Sequence, residues 1–327
     1  MIHFAVIGTG WISEAFVKAA HQTGKMQLTA VYSRSLESAL TFGQAFDVSL
    51  YYTDLKELAE ETTIDAVYIA SPNVMHCEQA ILMMEHGKHV ICEKPVASNY
   101  REAQRMDDVA RRQQVVCMEA YRSRYLPNFA QIRAAMEKTG PATRAFFSYC
   151  QYSSRYDKYL AGENPNTFNP AFSNGSVMDI GFYPLAAAVA LFGRPESVKA
   201  EGRLLDSGVD GEGSLILGYP DLTVMIQHSK VSDSVIPSEI QGKYGAIVID
   251  HIADIQSVTV HYRDGNTEEM TVSQQEQGMF YEADFFAEAI INHQFPDRKE
   301  TLLTAELLTE IRRQIGVIYP ADQANMD

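Results

Sequence analysis

The first 120 residues alternate short apolar runs with longer helical segments. The short runs are rich in Val and Ile, and they predict strands at His3–Ile7, Leu28–Ser33, Ala66–Ala70, His89–Cys92 and Val115–Met118. The segments between them predict helices at Ile12–Gln22, Leu36–Phe46, Met75–His86 and Tyr100–Arg112. Such alternation indicates an α/β domain over residues 1–120, with a doubly wound parallel sheet covered by helices on both faces.

After residue 120 the alternation gives way to strands separated by Gly, Asp and Pro turns. The strands predicted here are Arg144–Tyr152, Ser197–Leu205, Gly213–Leu217, Thr223–His228, Ser238–Gly242, Ala246–Ile249, Val258–Tyr262 and Glu268–Val272. The predicted helices are Asn128–Lys138, Val177–Leu191, Phe280–Asn292 and Leu302–Val317. This pattern indicates an α+β domain with an open, mostly antiparallel sheet over residues 121–327. Because helices would leave one face of that sheet uncovered, we expect a homodimer or higher homo-oligomer formed through it.

A glycine-rich turn joins the first predicted strand to the first predicted helix. Its sequence, Gly8-Thr9-Gly10-Trp11-Ile12-Ser13, lets the backbone turn sharply and approach a pyrophosphate, whose charge rests on the helix N-terminus. Ser13 stands at the usual third glycine position and is small enough for close packing of the helix on the strand. At this place in the chain, the motif predicts a Rossmann domain that binds a dinucleotide.

The end of the second predicted strand bears on which dinucleotide binds. The segment Val31-Tyr32-Ser33-Arg34-Ser35 holds no carboxylate, whereas NAD-binding domains usually place one about 20 residues after the glycines. The Ser33 hydroxyl and the Arg34 guanidinium would bind a 2′-phosphate, which a carboxylate would repel. The sequence therefore favours NADP. NAD stays possible, because an Arg34 that only stacks on the adenine would serve either cofactor.

Three further motifs carry candidate chemistry. Ser71-Pro72-Asn73 and His76 follow the strand predicted at Ala66–Ala70, and Glu93-Lys94-Pro95 follows the next strand. Ligands bind at the carboxyl ends of strands in open α/β sheets, so we expect both motifs to line the cofactor site. In the second domain, Asp179 and Tyr183 lie four residues apart near the start of a predicted helix. Because residues at this spacing are neighbours on a helix surface, we expect the two side chains to share one helical face.

Together, the early Gly-x-Gly, the Glu-Lys-Pro near residue 94 and the Asp-Ile-Gly-x-Tyr near residue 180 resemble the glucose–fructose oxidoreductase / inositol dehydrogenase / MocA family. The resemblance covers essentially the whole chain. With Met118-Glu119-Ala120 and Arg124-Tyr125-Leu126-Pro127, the sequence is most similar to the branch that contains the dihydrodiol dehydrogenases. The resemblance implies an NAD(P)-dependent oxidoreductase that interconverts a hydroxyl and a carbonyl on a sugar, polyol or diol.

The resemblance also implies roles for single residues. Lys94 would be the catalytic lysine, its bond to Pro95 would be cis, and Tyr183 would be the general acid/base. A free phenol has a pKa near 10, too high for a good base at neutral pH, and a nearby ammonium would favour the phenolate and polarise the substrate oxygen. We therefore expect Lys94 and Tyr183 to act as a pair. Asp179 would orient the substrate hydroxyl or Lys94, and His76 either lies under the nicotinamide ribose or is structural.

The sequence departs from the pattern of the dihydrodiol dehydrogenases around the expected substrate site. Dihydrodiol dehydrogenases usually carry Trp where this chain has Arg122, and Trp11 is the single Trp of the sequence. We expect Arg122 and Tyr125 to contact the substrate, and Arg122 favours a polar or sugar-like molecule. The polar stretch Ser153–Asn174 either flanks the pocket or is a solvated loop. Two other functions stay open on this fold: a non-catalytic regulator that senses NAD(P), and an NAD-dependent glycoside hydrolase.

Composition narrows the expected partners. Lys and Arg total 27 against 42 Asp and Glu, and the net charge of −15 without a basic block argues against nucleic acid and anionic membranes. No apolar run approaches the roughly 18 residues of a membrane span, and the N-terminus does not resemble a signal peptide. The four cysteines show neither zinc spacing nor a disulfide framework, and we expect no bound metal. These features predict a cytoplasmic protein.

Overall fold

The computed structural model describes residues 1–323, which form two compact units. The first unit comprises Met1–Arg122 and Gln275–Lys299. The second comprises Ser123–Gln274 and the described residues from Glu300 on. The boundary predicted after residue 120 lies close to the observed one, but the structure places residues 275–299 in the first unit, whereas the sequence predicts them in the second.

Six parallel strands form the sheet of the first unit: β1 (Ile2–Ile7), β2 (Met26–Tyr32), β3 (Leu50–Tyr52), β4 (Ala66–Ile69), β5 (His89–Glu93) and β6 (Cys117–Ala120). Their order is β3-β2-β1-β4-β5-β6, so the direction of winding reverses between β1 and β4. This is the doubly wound arrangement, and it confirms the predicted fold class. The sequence does not predict β3, because a run of three half-buried residues carries no clear strand pattern.

Five helices connect these strands: α1 (Trp11–Gln22), α2 (Leu36–Gln44), α3 (Leu55–Glu60), α4 (His76–Glu85) and α5 (Tyr100–Gln113). Three of them begin at a side chain that accepts a hydrogen bond from a backbone N–H of the first turn, namely Ser35 for α2, Asp54 for α3 and Asn99 for α5. The sequence analysis predicts all but α3, whose six residues are too few for a helical period to be recognised.

A helix from late in the chain completes the first unit. This helix, α10 (Met279–Ile291), packs on α1, and its Ala283 and Phe286 are fully buried. The ammonium of Lys25 lies 2.6 Å from carboxylate oxygens of both Asp284 and Glu288 on the same helix. The sequence alone does not reveal this position, because the apolar face of α10 would suit either unit.

Eight strands form the sheet of the second unit: β7 (Ala142–Cys150), β8 (Ser197–Leu204), β9 (Asp210–Gly218), β10 (Thr223–Ser229), β11 (Ser238–Gly242), β12 (Gly245–Ile249), β13 (Val258–Tyr262) and β14 (Thr267–Glu269). Their order is β14-β13-β12-β11-β7-β10-β9-β8. The central β7–β10 pair is parallel and the other pairs are antiparallel. The predicted open, mostly antiparallel sheet is therefore confirmed.

The helices of the second unit are α6 (Pro127–Thr139), α7 (Tyr156–Leu160), α8 (Ser176–Asp179), α9 (Phe182–Phe192), α11 (Lys299–Ile315) and α12 (Pro320–Gln323). Helix α6 packs on β11, β12 and β13, and α9 packs on β7 and β10. Side chains alternate in burial along the strands: Leu215 and Leu217 are fully buried, whereas Ser214 and Ile216 are exposed. Taken singly, none of the helices in residues 1–323 has the length and apolar character needed to cross a membrane.

The helix predicted at Val177–Leu191 is two helices in the structure, α8 and α9, separated by Ile180 and Gly181. A Cβ atom at Gly181 would lie 2.8 Å from the Cα of Val177 and 3.0 Å from the Cγ of His228. Glycine thus lets β10 approach the chain at the break. The expectation that one continuous helix places Asp179 and Tyr183 on a shared face is therefore wrong, because the two residues lie on opposite sides of the break.

The polar stretch Ser153–Asn174 contains α7 and two short 3-10 turns. Tyr156 and Tyr159 of α7 stack with ring centroids 6.1 Å apart, and Phe168 lies 5.6 Å and 5.4 Å from them. The backbone N–H of Ser207 donates to the Tyr159 hydroxyl at 3.1 Å. The aromatic side chains of this stretch therefore pack on one another, which gives the loop a defined shape.

Candidate active site

The turn between β1 and α1 is shaped for a phosphate group. Gly8 has φ = 106°, and a Cβ atom there would lie 2.6 Å from the carbonyl oxygen of Ala70, so only glycine fits. Gly10 is the N-cap of α1, and a Cβ atom added to it would meet no atom within 4 Å. The open space before the helix N-terminus suits the pyrophosphate of a dinucleotide. The predicted cofactor residues of this motif form the turn and the first residues of α1: Gly8, Thr9, Gly10, Trp11 and Ile12.

The residues predicted to select the cofactor lie directly after β2. Ser33 is half-buried and Arg34 is exposed. The Ser33 hydroxyl accepts from the backbone N–H of Ser35 at 3.4 Å, and Ser35 in turn caps α2. Arg34 thus lies directly after the strand next to β1, and its side chain is open to solvent.

The loop after β4 is tied to the loop after β5 by His76. This imidazole is fully buried, and its Nδ1 lies 2.9 Å from the carbonyl oxygen of Pro95, while its Nε2 lies 2.8 Å from that of Ser71. Burial lowers the pKa of His76, against the opposing effect of these two contacts. The Ser71 hydroxyl donates to the side-chain oxygen of Gln79 at 2.6 Å. His76 therefore connects the loop after β4 to the loop after β5. A direct contact between His76 and the ribose of the cofactor stays a prediction.

The Glu-Lys-Pro motif begins at the last residue of β5, and the Lys94–Pro95 peptide bond is cis, as the resemblance implies. The hydroxyl of the fully buried Tyr68 donates to Oε1 of Glu93 at 2.6 Å, and the Lys94 backbone N–H donates to Oε2 at 3.2 Å. Burial raises the pKa of Glu93, although the Tyr68 hydrogen bond and the Lys94 charge act against that rise. Glu93 thus fixes the backbone of Lys94, whose side chain is partly exposed.

Near this motif lies a buried carboxyl that the sequence analysis missed. Glu282 of α10 is fully buried, and within residues 1–323 neither of its carboxyl oxygens has a hydrogen-bond partner. Burial raises the pKa of Glu282 well above its usual value, the Glu93 charge raises it further, and the Arg122 charge opposes both. The Arg122 charge also lowers the pKa of Glu93. Contact between Arg122 and the substrate stays a prediction.

In the second unit, Asp179 and Tyr183 flank the break between α8 and α9. The ammonium of Lys230, the residue after β10, forms an ion pair with Oδ2 of Asp179. The ring of Tyr183 packs edge-on against Tyr149 of β7, with centroids 5.7 Å apart. The sequence analysis also missed Lys230, although its place at the end of a strand was a usable signal. Tyr125 lies in the 3-10 turn before α6 and is half-buried.

A buried polar group holds α8 in place. Oδ2 of Asp210 accepts from the backbone N–H of Val177 at 2.7 Å, and the Ser176 hydroxyl lies 2.8 Å from Nδ1 of His228. Burial raises the pKa of Asp210 to about 6 and lowers the pKa of His228 to about 3. A Cβ atom at Gly175, the N-cap of α8, would lie 2.4 Å from Oδ1 of Asp210, so the residue before the helix must be glycine. These contacts fix the helix that carries Asp179.

The structure therefore brings the predicted residues together in two groups, one in each unit. The first unit gathers its group at the carboxyl ends of β1, β2, β4 and β5: Gly8, Thr9, Gly10, Trp11, Ile12, Ser33, Arg34, Ser71, Pro72, Asn73, His76, Glu93 and Lys94. The second unit gathers Asp179 and Tyr183, and adds Lys230 and Tyr149 to them.

Comparisons with known proteins agree on the family and the fold. The profile of the GFO_IDH_MocA oxidoreductase family, an NAD-binding Rossmann fold, matches residues 2–121, and the profile of the GFO/IDH/MocA C-terminal domain matches residues 142–248. The oxidoreductase YgjR of Escherichia coli (strain K12) is 53% identical over 100% of both chains. The scyllo-inositol 2-dehydrogenase (NADP(+)) IolU of Bacillus subtilis (strain 168) is 48% identical, over 99% of this chain and 100% of its own.

A solved structure shares the fold along nearly the whole chain. The 3-ketoreductase KijD10 of Actinomadura kijaniata, in complex with NADP and TDP-benzene, superposes with a TM-score of 0.85 at 22% identity. The match covers 97% of this chain and 99% of KijD10. At that level of identity the likeness shows the fold alone, a Rossmann unit followed by a sheet-containing unit.

Proposed function

The chain belongs to the GFO/IDH/MocA oxidoreductase family, and from that premise we propose that it interconverts a hydroxyl and a carbonyl on a polyol or sugar, with NADP as its preferred cofactor. One observation carries the proposal. The glycine turn, the His76 loop and Lys94 follow β1, β4 and β5, which are neighbours in the sheet. A ligand that lies across the ends of these strands would reach both the phosphate cradle and the lysine.

A bound nicotinamide would supply the hydride acceptor for oxidation, or the hydride donor for reduction. We assign the Lys94 ammonium to the substrate oxygen, where its charge would stabilise the developing alkoxide. Tyr183 would take the hydroxyl proton during oxidation and return it during reduction. Asp179 would accept a hydrogen bond from a hydroxyl of the substrate. The proposal requires that Lys94 of the first unit and Tyr183 of the second act on one substrate.

The polarity of the second group supports a polyol or sugar as substrate. The ion pair between Asp179 and Lys230 offers hydrogen-bonding groups for the hydroxyls of such a molecule. The relative that is 48% identical is named for scyllo-inositol, a cyclic polyol, and for NADP. The exposed Arg34 after β2 supports the same cofactor, because a guanidinium binds a 2′-phosphate through charge-assisted hydrogen bonds.

The proposed function is tested by offering NADP⁺ and NAD⁺ separately with a panel of inositols, aldoses and dihydrodiols. We expect reduction of NADP⁺ with at least one inositol or aldose, with kcat/KM at least about tenfold above the value with NAD⁺, which corresponds to about 1.4 kcal/mol. Dinucleotide binding without hydride transfer across the panel would instead indicate a regulator. Product formed without net change in nicotinamide absorbance would indicate glycoside hydrolysis.

We further propose that the enzyme is a cytoplasmic homodimer or higher homo-oligomer. The four cysteines are free thiols, and three are buried, which is typical of a reducing compartment. One set of alternating residues on the large sheet is exposed, including Ile216 at 46%, and it carries both Glu201 and Arg203. Charges of both signs let such a face pair with its own copy. Light scattering at micromolar concentration should give at least twice the chain mass of 36.5 kDa, and a monomer would contradict the proposal.

A further inference from the structure

Lys230 occupies a fixed position beside the candidate substrate site. It follows β10 directly and is 8% exposed. Its backbone N–H donates to the carbonyl oxygen of Gly211 at 2.9 Å, and its carbonyl oxygen accepts from the N–H of Ser153 at 2.9 Å. Both polar groups of its backbone are therefore bound, one to the strand region of β9 and one to the first residue of the polar loop. These two hydrogen bonds therefore fix the position of the Lys230 Cα atom, from which the side chain extends.

The two side chains of the Lys230–Asp179 ion pair differ in their exposure to solvent. The lysine side chain is 9% exposed, whereas the aspartate side chain is 30% exposed. A buried ammonium is tolerated only beside a counter-charge, so Lys230 holds the carboxylate in one place. An ionised carboxylate only accepts hydrogen bonds, and the accessible part of Asp179 would thus meet a donor such as a hydroxyl.

We propose that Lys230 is a positioning residue that fixes Asp179 to recognise a hydroxyl of the substrate other than the reacting one. The inference rests on the proposed function and deepens it, because it names a residue that positions the carboxylate assigned to a substrate hydroxyl. A substrate with a single hydroxyl would not make this additional hydrogen bond to the carboxylate, and would therefore react less efficiently. The Ser153 hydrogen bond also ties the start of the polar loop to the same residue.

The test compares trans-cyclohexane-1,2-diol, in which each hydroxyl has a neighbour, with cyclohexanol, which has none. For the wild-type holoenzyme we expect kcat/KM with NADP⁺ to be at least about tenfold higher for the diol. Lys230→Met should bring that ratio to within about threefold of unity, mainly through a higher KM for the diol. Its affinity for NADPH should change less than about twofold, and Lys230→Arg should restore most of the ratio.

Two further variants separate this role from a general loss of folding. Lys243→Met removes an exposed lysine of the same unit and should keep the wild-type ratio. Asp179→Asn should reduce the ratio as Lys230→Met does, and the double variant should lose no more than either single change, since the two residues act as one unit.

The outcomes distinguish this inference from the proposed function. A wild-type protein that turns over neither the diol nor any polyol overturns both. A wild-type preference for the diol that survives in folded Lys230→Met, as judged by its thermal unfolding, overturns the role of Lys230 alone. If Lys230→Met does not fold, Lys230→Gln, which keeps a polar side chain without the charge, still decides: an unchanged ratio in that variant overturns the inference, and a reduced ratio with wild-type NADPH affinity supports it.

Discussion

Replacement of Lys94 by Ala is expected to lower the rate of hydride transfer by at least about 100-fold, because it removes the positive charge assigned to the substrate oxygen. The side chain is partly exposed, while its backbone is held by Glu93 and by the contact of His76 with Pro95. The loop should therefore keep its conformation in the variant. Stopped-flow absorbance of the nicotinamide in a single turnover measures the step directly, with the best substrate of the panel.

The control separates catalysis from cofactor binding. Lys56→Ala removes an exposed lysine from the first turn of α3 in the same unit and should leave the rate unchanged. The dissociation constant of NADPH for Lys94→Ala should stay within about fivefold of wild type, since the cradle at Gly8 and Gly10 is built from backbone. Near-normal single-turnover rates in Lys94→Ala would refute the role assigned to this residue.

The sequence predicts most of the fold because most elements are long and periodic. Strands β1 and β2 are recognisable as buried runs, and α5 extends over 14 residues from a clear cap at Asn99. The break at Gly181 is different. It depends on the approach of His228 from β10, which lies far along the chain and cannot be inferred from local periodicity. The same holds for α10, whose place in the first unit follows from its packing on α1.

The residues of the candidate site also fall into those that the sequence predicts and those that it does not. Gly8, Gly10 and Lys94 belong to short motifs, and each motif sits at the end of a predicted strand. Lys230 and Glu282 belong to no motif. Lys230 matters for the site because it forms an ion pair with Asp179, 51 residues earlier in the chain. Glu282 matters because the charge of Glu93 acts on its pKa. A single sequence gives the chemical type of such residues, but their partners follow only from the three-dimensional arrangement.

Replacement of Tyr183 by Phe is expected to reduce kcat by about 100-fold in both directions of the reaction, because it removes the group assigned to proton transfer. The phenyl ring should keep its edge-on packing against Tyr149 at 5.7 Å and against Phe182 at 5.9 Å. The melting temperature and the NADPH affinity should thus stay close to wild type. The loss should appear in kcat more than in KM, since the hydroxyl acts on the reacting oxygen rather than on substrate binding.

Two measurements decide whether the Tyr183 hydroxyl is catalytic or merely structural. The first is the pH dependence of kcat, which should lose the limb that the acid/base group produces, and a structural hydroxyl would leave that limb in place. The second is the matched variant Tyr219→Phe, which removes a hydroxyl that donates to the Gly193 carbonyl at 3.2 Å in the same unit. That variant should retain the wild-type rate and pH profile. Equal rates in Tyr183→Phe and wild type would assign proton transfer to another group, and Lys94 would be the first to examine, because its ammonium also carries a transferable proton.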